Sequence, residues 1–327
     1  MNNAEILIVT HDGQFHADET FAVGIATTTH PNAIVRRSRE KSVIETADMV
    51  IDVGGMYDPI LGRFDHHQPG CDEKYSDEYI IPMSSIGMVW KEFAYDYLRT
   101  MYGQEIITHS LNIKSIADAL YRTFILEIDA IDNGTKQTDK KNMSYFIYTN
   151  LSTTISKMNT NDIYNPDVQN EAFFNAVNYA MMTFNIHVHA FMEKAIGVIK
   201  DTQTITNAMV KRFEYSKTGE ILVIPYDCPN WLHCIRLYEN KNPYPNPSLD
   251  VKFLIYPNDG ESWRIRAMSG KEQFQNRKNL KGVEDILKID PSLKNNITFV
   301  HEKRFIGGAL DVNTAVKMGT ISLLEQQ

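Results

Sequence analysis

The sequence predicts an α/β protein, with a larger parallel-sheet domain followed by a smaller α+β domain. Three observations carry this. In the first half, short β-branched runs alternate with segments of helical periodicity, the pattern of parallel strands joined by crossover helices. After about residue 205 the texture changes to short strand-like runs with turn signals between them. The chain has 327 residues, more than one hydrophobic core comfortably organises. The expected domains are residues 1–200 and 201–327.

The elements follow in order. Ile6 to Val9 is a β-branched run ending in a polar, glycine-containing turn. Ala17 to Thr29 has helical composition, with Phe21, Ala22, Gly24 and Ile25 able to form one apolar face. Ala33 to Val35 and Met49 to Val53 read as strands, the second closed by Gly54 and Gly55. Ser84 to Met101 carries Ile86, Val89, Trp90, Phe93 and Tyr97 at helical spacing, and a second long helix is expected over Ile113 to Ile131. Lys141 to Lys200 reads as mostly helical, broken at Asn165-Pro166. Strands are then expected at Ile221–Pro225, Val251–Tyr256, Trp263–Ala267 and Ile297–His301. Hairpin turns such as Pro257-Asn258-Asp259-Gly260 lie between them, and Asn240 to Pro247 is read as a loop.

Composition removes several function classes. No apolar run reaches 18 residues, so no membrane span is expected. The first residues lack both a secretory pattern and an Arg-rich transit pattern, so the expected location is intracellular, in cytoplasm or nucleus. Cys71, Cys228 and Cys234 are widely spaced and odd in number, which argues against a disulfide framework or a cysteine zinc site. A net charge of −8 excludes a generally basic nucleic-acid surface, so any such contact must be local. Neither HExxH nor GxSxG occurs, which leaves peptide hydrolysis without support.

The chemistry concentrates early. Five of the ten histidines fall within the first 67 residues. The groups are His11-Asp12, His16-x-Asp18-Glu19, Asp52 and Asp65-His66-His67, followed by Asp129 and Asp132. The first three lie after or near the ends of expected strands, where an open parallel sheet binds its ligands. Mixed imidazole and carboxylate donors suit Mn²⁺, Zn²⁺ or Fe²⁺. Two such ions about 3.5–4 Å apart clamp both oxygens of a phosphoryl displacement and lower the pKa of a bound water. Singly, each residue has a plainer reading: Asp12 as a turn residue, Asp18 as a helix cap. His30, His109, His187, His189, His233 and His301 stay with ordinary polar roles. His187 and His189 are two apart on a helix and face different ways.

Six ordered stretches, THDGQFHADE, VIDVGGMYDP, RFDHHQPG, SSIGMVW, EIDAIDNG and FVHEKRFIGG, span residues 10 to 308. They resemble the DHH phosphoesterase superfamily and, within it, the eukaryotic Myg exonuclease family. The resemblance implies a DHH-type catalytic domain, a C-terminal substrate-binding domain and RNA or nucleotide held in an interdomain cleft. It further implies two divalent ions, Mn²⁺ first with Mg²⁺ or Zn²⁺ as alternatives, and 3′-to-5′ exonuclease activity on RNA. Carried over by motif, His11, His16 and Asp18 would be first-loop ligands, Asp52 would bridge the metals and His66 would complete the second site. Asp65 would orient that histidine, and His67 would contact phosphate or act as an acid. Asp132 is the favoured last ligand, with Asp129 its competitor. Gly307-Gly308 resembles a glycine-rich phosphate loop with Arg304 as a phosphate clamp, or else a plain turn beside a surface arginine.

The sequence departs from the superfamily twice. His16 stands where many of its enzymes have an aspartate, and the histidine commonly found after the paired glycines is absent. Two rival readings stay open here: a phosphatase acting on pyrophosphate, a nucleotide or a cyclic dinucleotide, and a non-catalytic metal-stabilised scaffold. Oligomeric state is left open as well.

Overall fold

The computed structural model describes residues 5–138, 144–162, 164–242, 250–258, 260–270 and 275–324. The chain forms two compact units, residues 1–193 and 194–327, each with a five-stranded sheet.

The first unit opens with β1 (Leu7–Thr10), α1 (Ala17–Thr29), β2 (Ile34–Arg37), α2 (Lys41–Thr46), β3 (Met49–Ile51), β4 (Tyr57–Asp58) and β5 (Arg63–Phe64). Its sheet order is β2-β1-β3-β5-β4, with the first three pairings parallel and β4 antiparallel at the edge. Alternation along each strand sends side chains to opposite faces. Ile8, Ile51 and Phe64 join the large core, while Val9 and Val50 meet Val43 and Ala47 on the other side. Both faces are therefore covered, as a parallel sheet requires.

The helices α3 (Ser85–Thr108), α4 (Ile113–Leu120) and α5 (Leu126–Asp132) follow. A π-helical segment, Tyr121–Ile125, joins the last two, so the long helix expected there is continuous but carries one wide turn. Then come α6 (Leu151–Ser156) and α7 (Pro166–Lys211). Proline at the first helical position of α7 gives up no hydrogen bond, which is why the Asn165-Pro166 break is a helix start. Trp90 of α3 is fully buried edge-on to Phe184, ring centroids 5.4 Å apart, and donates its indole N–H to the Ala117 carbonyl at 3.1 Å.

The second unit holds β6 (Ile221–Val223), α8 (Trp231–Lys241), β7 (Phe253–Asn258), β8 (Ser262–Ala267), α9 (Val283–Ile289), β9 (Ile297–Val300), β10 (Ile306–Ala309) and α10 (Val312–Leu323). Its sheet order is β6-β7-β8-β10-β9. β7 and β8 form the expected hairpin, but β6 and β7 pair in parallel. Leu222 and Leu254 meet Cys234 and Ile235 of α8 on one face, while Ile221, Phe253 and Ile265 meet Met318 of α10 on the other. Most of the expected 240–247 loop and Asp259 of the hairpin turn lie outside the described residues. Among the described residues all three cysteines are free thiols.

Candidate metal centre

Three neighbouring parallel strands deliver the candidate residues. His11 follows β1, Asp52 follows β3 and Asp65-His66-His67 follows β5. The carboxyl ends of adjacent strands thus place these side chains together. From the helical side, His16 is the N-cap of α1, Asp18 and Glu19 sit in its first turn, and Asp132 is the last residue of α5. A helix N-terminus favours the carboxylates there.

Asp52 is the hub. Its Oδ2 lies 3.3 Å from His11 Nε2, and its Oδ1 lies 3.5 Å from His66 Nε2 and 3.4 Å from His67 Nδ1. Each oxygen therefore faces a different imidazole group. The backbone there is left-handed, φ +59°, a conformation aspartate tolerates better than most side chains but that still carries strain. Ser85, at the start of α3, donates its hydroxyl to Asp52 Oδ1 at 3.0 Å and fixes the carboxylate's rotation.

Among the described residues, potential ligand atoms fall into three groups that share members: His11, His16, Glu19 and Asp52; Asp52, His66 and His67; His16, Asp18 and Asp132. His66 Nε2 is 3.1 Å from Asp132 Oδ2 but is not aligned for a hydrogen bond. Both Asp18 oxygens and Glu19 Oε2 are likewise buried without a hydrogen-bond partner. Buried polar atoms normally find partners, so this concentration of orphans in one place is what a bound cation would resolve. The donor set, imidazole nitrogen mixed with carboxylate oxygen, fits a transition-type divalent ion.

Electrostatics agree. Burial, then the charges of Asp52, Asp132 and Glu19, pushes the Asp18 carboxyl well above its ordinary value. Burial alone would raise Asp52 too, but the adjoining His11 and His66 imidazoles hold it below the usual carboxylate range. Burial opposes protonation of the two histidines. The carboxylates outweigh it, with Asp52 and Glu19 taking His11 to about 10 and Asp132 and Asp52 taking His66 to about 10. Without metal, the carboxylates collect protons on the imidazoles instead.

His11, His16, Asp18, Asp52, His66, His67 and Asp132 are thus brought together. Asp129 is not in these groups. It is fully buried, and it accepts from Ser84 N–H at 2.9 Å, Ser84 hydroxyl at 2.8 Å, Gly87 N–H at 3.2 Å and Tyr121 hydroxyl at 2.8 Å. Its carboxylate caps the start of α3. Gly87 is the residue that lets it approach, since a Cβ there would stand 2.4 Å from Asp129 Oδ2.

Asp65 orients a histidine, but the ring it holds is that of His67, not His66. Asp65 Oδ1 takes His67 Nδ1 at 2.7 Å and His67 N–H at 3.1 Å, and Oδ2 takes Gly55 N–H at 2.5 Å. His66 turns inward to Asp52 and Asp132, leaving its neighbour for the carboxylate.

Gly307 and Gly308 lie inside β10, paired with β8 on one side and β9 on the other, rather than in a phosphate-binding loop. A Cβ on Gly308 would stand 2.3 Å from Thr298 Oγ1, so close packing against β9 accounts for the glycine. Arg304 adopts φ +60°, and its guanidinium lies against Gly282. One residue of the centre went unselected in the sequence reading. Glu19 is fully buried with Oε1 2.9 Å from His11 Nε2. Its only signal was its place beside Asp18.

A cavity of about 480 Å³ opens on the centre, lined among others by Asp52, His66, His67, Asp132, Ser152 and Ser156. No helix among the described residues is long and apolar enough to cross a membrane.

Comparison with known proteins bears on the same stretch of chain. The family described as MYG1_exonuc, Uncharacterised protein family (UPF0160), matches residues 7–323. The MYG1 protein YER156C of Saccharomyces cerevisiae is 29% identical, over 97% of this chain and 95% of its own length. The MYG1 exonucleases of Rattus norvegicus and Homo sapiens are 28% and 27% identical, each over 98% of this chain and over 85% and 86% of their own lengths. The chain belongs to the MYG1 exonuclease family.

Proposed function

We propose that the chain is a divalent-metal-dependent phosphodiesterase that removes terminal nucleotides from RNA. The observation that carries this is Asp52, one buried carboxylate whose two oxygens face separate imidazole groups. The rat and human relatives are named exonucleases, which supports hydrolysis at a chain end. The 3′-to-5′ direction is what the resemblance of the six sequence stretches implies.

A pair of divalent ions, Mn²⁺ first with Mg²⁺ or Zn²⁺ as alternatives, would supply hydroxide near neutral pH and neutralise charge at phosphorus. His11, His16, Asp52 and His66 would hold them, with Asp18 and Asp132 adding negative charge. Asp65 holds His67 through Nδ1, which leaves Nε2 to meet a phosphate oxygen or to protonate the leaving oxygen. At 61% side-chain exposure His67 is within reach of substrate. In the second unit Arg304 is retained as the phosphate contact, because the flanking strands already engage the glycine backbone.

A run of exposed rings favours a single-stranded nucleic acid over a small anion. Tyr145, Phe146 and Tyr148 are 72%, 64% and 66% exposed. They lead directly into α6, whose Ser152 and Ser156 line the cavity beside His66 and Asp132. Bases stack on such rings at about 1–3 kcal/mol each.

The test is hydrolysis of 3′-labelled and 5′-labelled RNA oligomers with Mn²⁺, beside pyrophosphate and an EDTA control. Stepwise shortening from the 3′ end, stopped by EDTA, is expected. Turnover of pyrophosphate alone moves the protein to the small-molecule phosphatases. Turnover of neither, in metal-loaded protein, sinks the enzymatic reading.

A further inference from the structure

We infer that Glu19 is a further metal ligand on the His11 side of the centre, so that four carboxylates face two divalent cations. The inference rests on the metal-dependent reading above and adds a residue to it.

Glu19 has an ordinary occupation. Its Oε1 accepts the His16 N–H at 2.8 Å, as the third residue of a capping box does. That task needs one oxygen and no burial. Glu19 is nevertheless fully buried, and its Oε2 has no hydrogen-bond partner. An ionised carboxylate taken out of water is stable only with compensating charge. Part of the compensation visible here is His11 Nε2, 2.9 Å from Oε1. That is also a nitrogen a metal ion would take, and an ion there would leave Glu19 facing the cation directly.

Helix geometry gives Glu19 a place distinct from that of Asp18. Adjacent residues on a helix are about 100° apart. Asp18 accordingly falls with His16 and Asp132, while Glu19 falls with His11, His16 and Asp52. Without Glu19, the His11 group would hold two neutral imidazoles and a single carboxylate, Asp52, which the His66 group shares.

Charge closes the argument. With metal bound, Asp18, Glu19, Asp52 and Asp132 would carry four negative charges, the number that two divalent ions neutralise. Asp65 and Asp129 fall outside this set because donors of the chain already engage their oxygens.

The experiment is titration of Mn²⁺ into metal-free full-length protein, wild type against Glu19→Gln, read by calorimetry and by the EPR signal of free Mn²⁺. The amide keeps an oxygen for the His16 N–H and keeps the shape, but removes the charge. The wild type is expected to bind two equivalents. Glu19→Gln should bind one of them at least ten-fold more weakly, with an unchanged circular dichroism spectrum. Superimposable titrations would mean that Glu19 is only a cap, and the inference fails. Should Glu19→Gln melt early, Glu19→Asp decides by the same titration: it keeps the charge on a shorter arm, so weakened binding by folded protein supports ligation and wild-type binding overturns it. A wild type that binds no Mn²⁺ brings down the metal reading itself, a failure visible before any variant is compared.

Discussion

Replacing Asp129 and Asp132 by alanine, one at a time, should separate folding from metal binding. Asp129 accepts four hydrogen bonds, three from the first turn of α3 and one from Tyr121. Truncation removes a helix cap worth about 1 kcal/mol. It also strands the buried Tyr121 hydroxyl and other buried donors, at about 1–3 kcal/mol for an unsatisfied group. For a unit of 193 residues, a loss of about 3 kcal/mol lowers the melting temperature by about 10 °C. Asp132 has 21% side-chain exposure and faces His66, so its alanine variant loses only that charge contact and should melt closer to wild type in EDTA than Asp129→Ala does. The Mn²⁺ affinity of that variant should drop at least about ten-fold. Thermal melts in EDTA and calorimetric Mn²⁺ titrations give both readings. The assignment is refuted if Asp129→Ala melts like wild type yet loses Mn²⁺, or if Asp132→Ala binds Mn²⁺ normally. Asp129→Asn adds a pH signature. Burial pushes the Asp129 carboxyl up to about 7, so the folded chain keeps a proton that the unfolded chain releases near pH 4. This carboxyl's contribution therefore makes wild-type stability decline as pH rises from about 4 to about 7, and the asparagine variant should lack that component.

Three further outcomes are expected. His11 and His66 titrate near 10 without metal, so Mn²⁺ binding at pH 7.5 must expel protons; calorimetry in two buffers of different ionisation enthalpy measures this, and identical heats would refute it. The same shifts stabilise the metal-free fold below the ordinary histidine value near 6.5, and that contribution is lost as pH rises through about 10. Asp65→Asn should lower kcat about 10–100-fold, with Mn²⁺ affinity nearly unchanged, because it unseats His67 and spares His66; a wild-type kcat would end the role given to that pair. Alanine at Tyr145, Phe146 and Tyr148 together should raise KM for an RNA oligomer about ten-fold, the effect of about 1.4 kcal/mol, while hydrolysis of a small phosphodiester stays constant; equal losses on both substrates would remove the stacking role.

What the sequence made legible follows from how each feature writes itself into side chains. α1 was readable to the residue because an apolar face follows a polar turn. β4 and β5, two residues each, are too short to show alternation, and they were missed. β10 begins with Ile306-Gly307-Gly308, and paired glycines carry no side chains to alternate, so a strand read as a loop. The parallel pairing of β6 with β7 depends on α8, whose mixed sequence WLHCIRLYENK disguised the crossover. At the candidate metal centre, histidines and aspartates at strand ends advertised themselves, because such clusters have few structural uses. Glu19 did not, since glutamate in a first helical turn is commonplace. EIDAIDNG favours Asp132 over Asp129 only by motif likeness, and the three-dimensional path of the preceding helix is what separates their positions.

That path depends on the π-helical turn at Tyr121–Ile125, where the Leu126 N–H reaches back to the Tyr121 carbonyl. The wide turn holds one residue more than a regular helix would, which advances everything after it by about 100° around the axis. It works as an angular index, dialling Asp129 toward Ser84 and Asp132 toward His66. If the same residues ran on as a regular helix, the extra residue would swing both carboxylates about 100° out of place at once. A one-residue deletion there should therefore spare both carboxylates, whereas a one-residue insertion later in the helix, between 126 and 128, should be as damaging as losing a ligand, although it removes none.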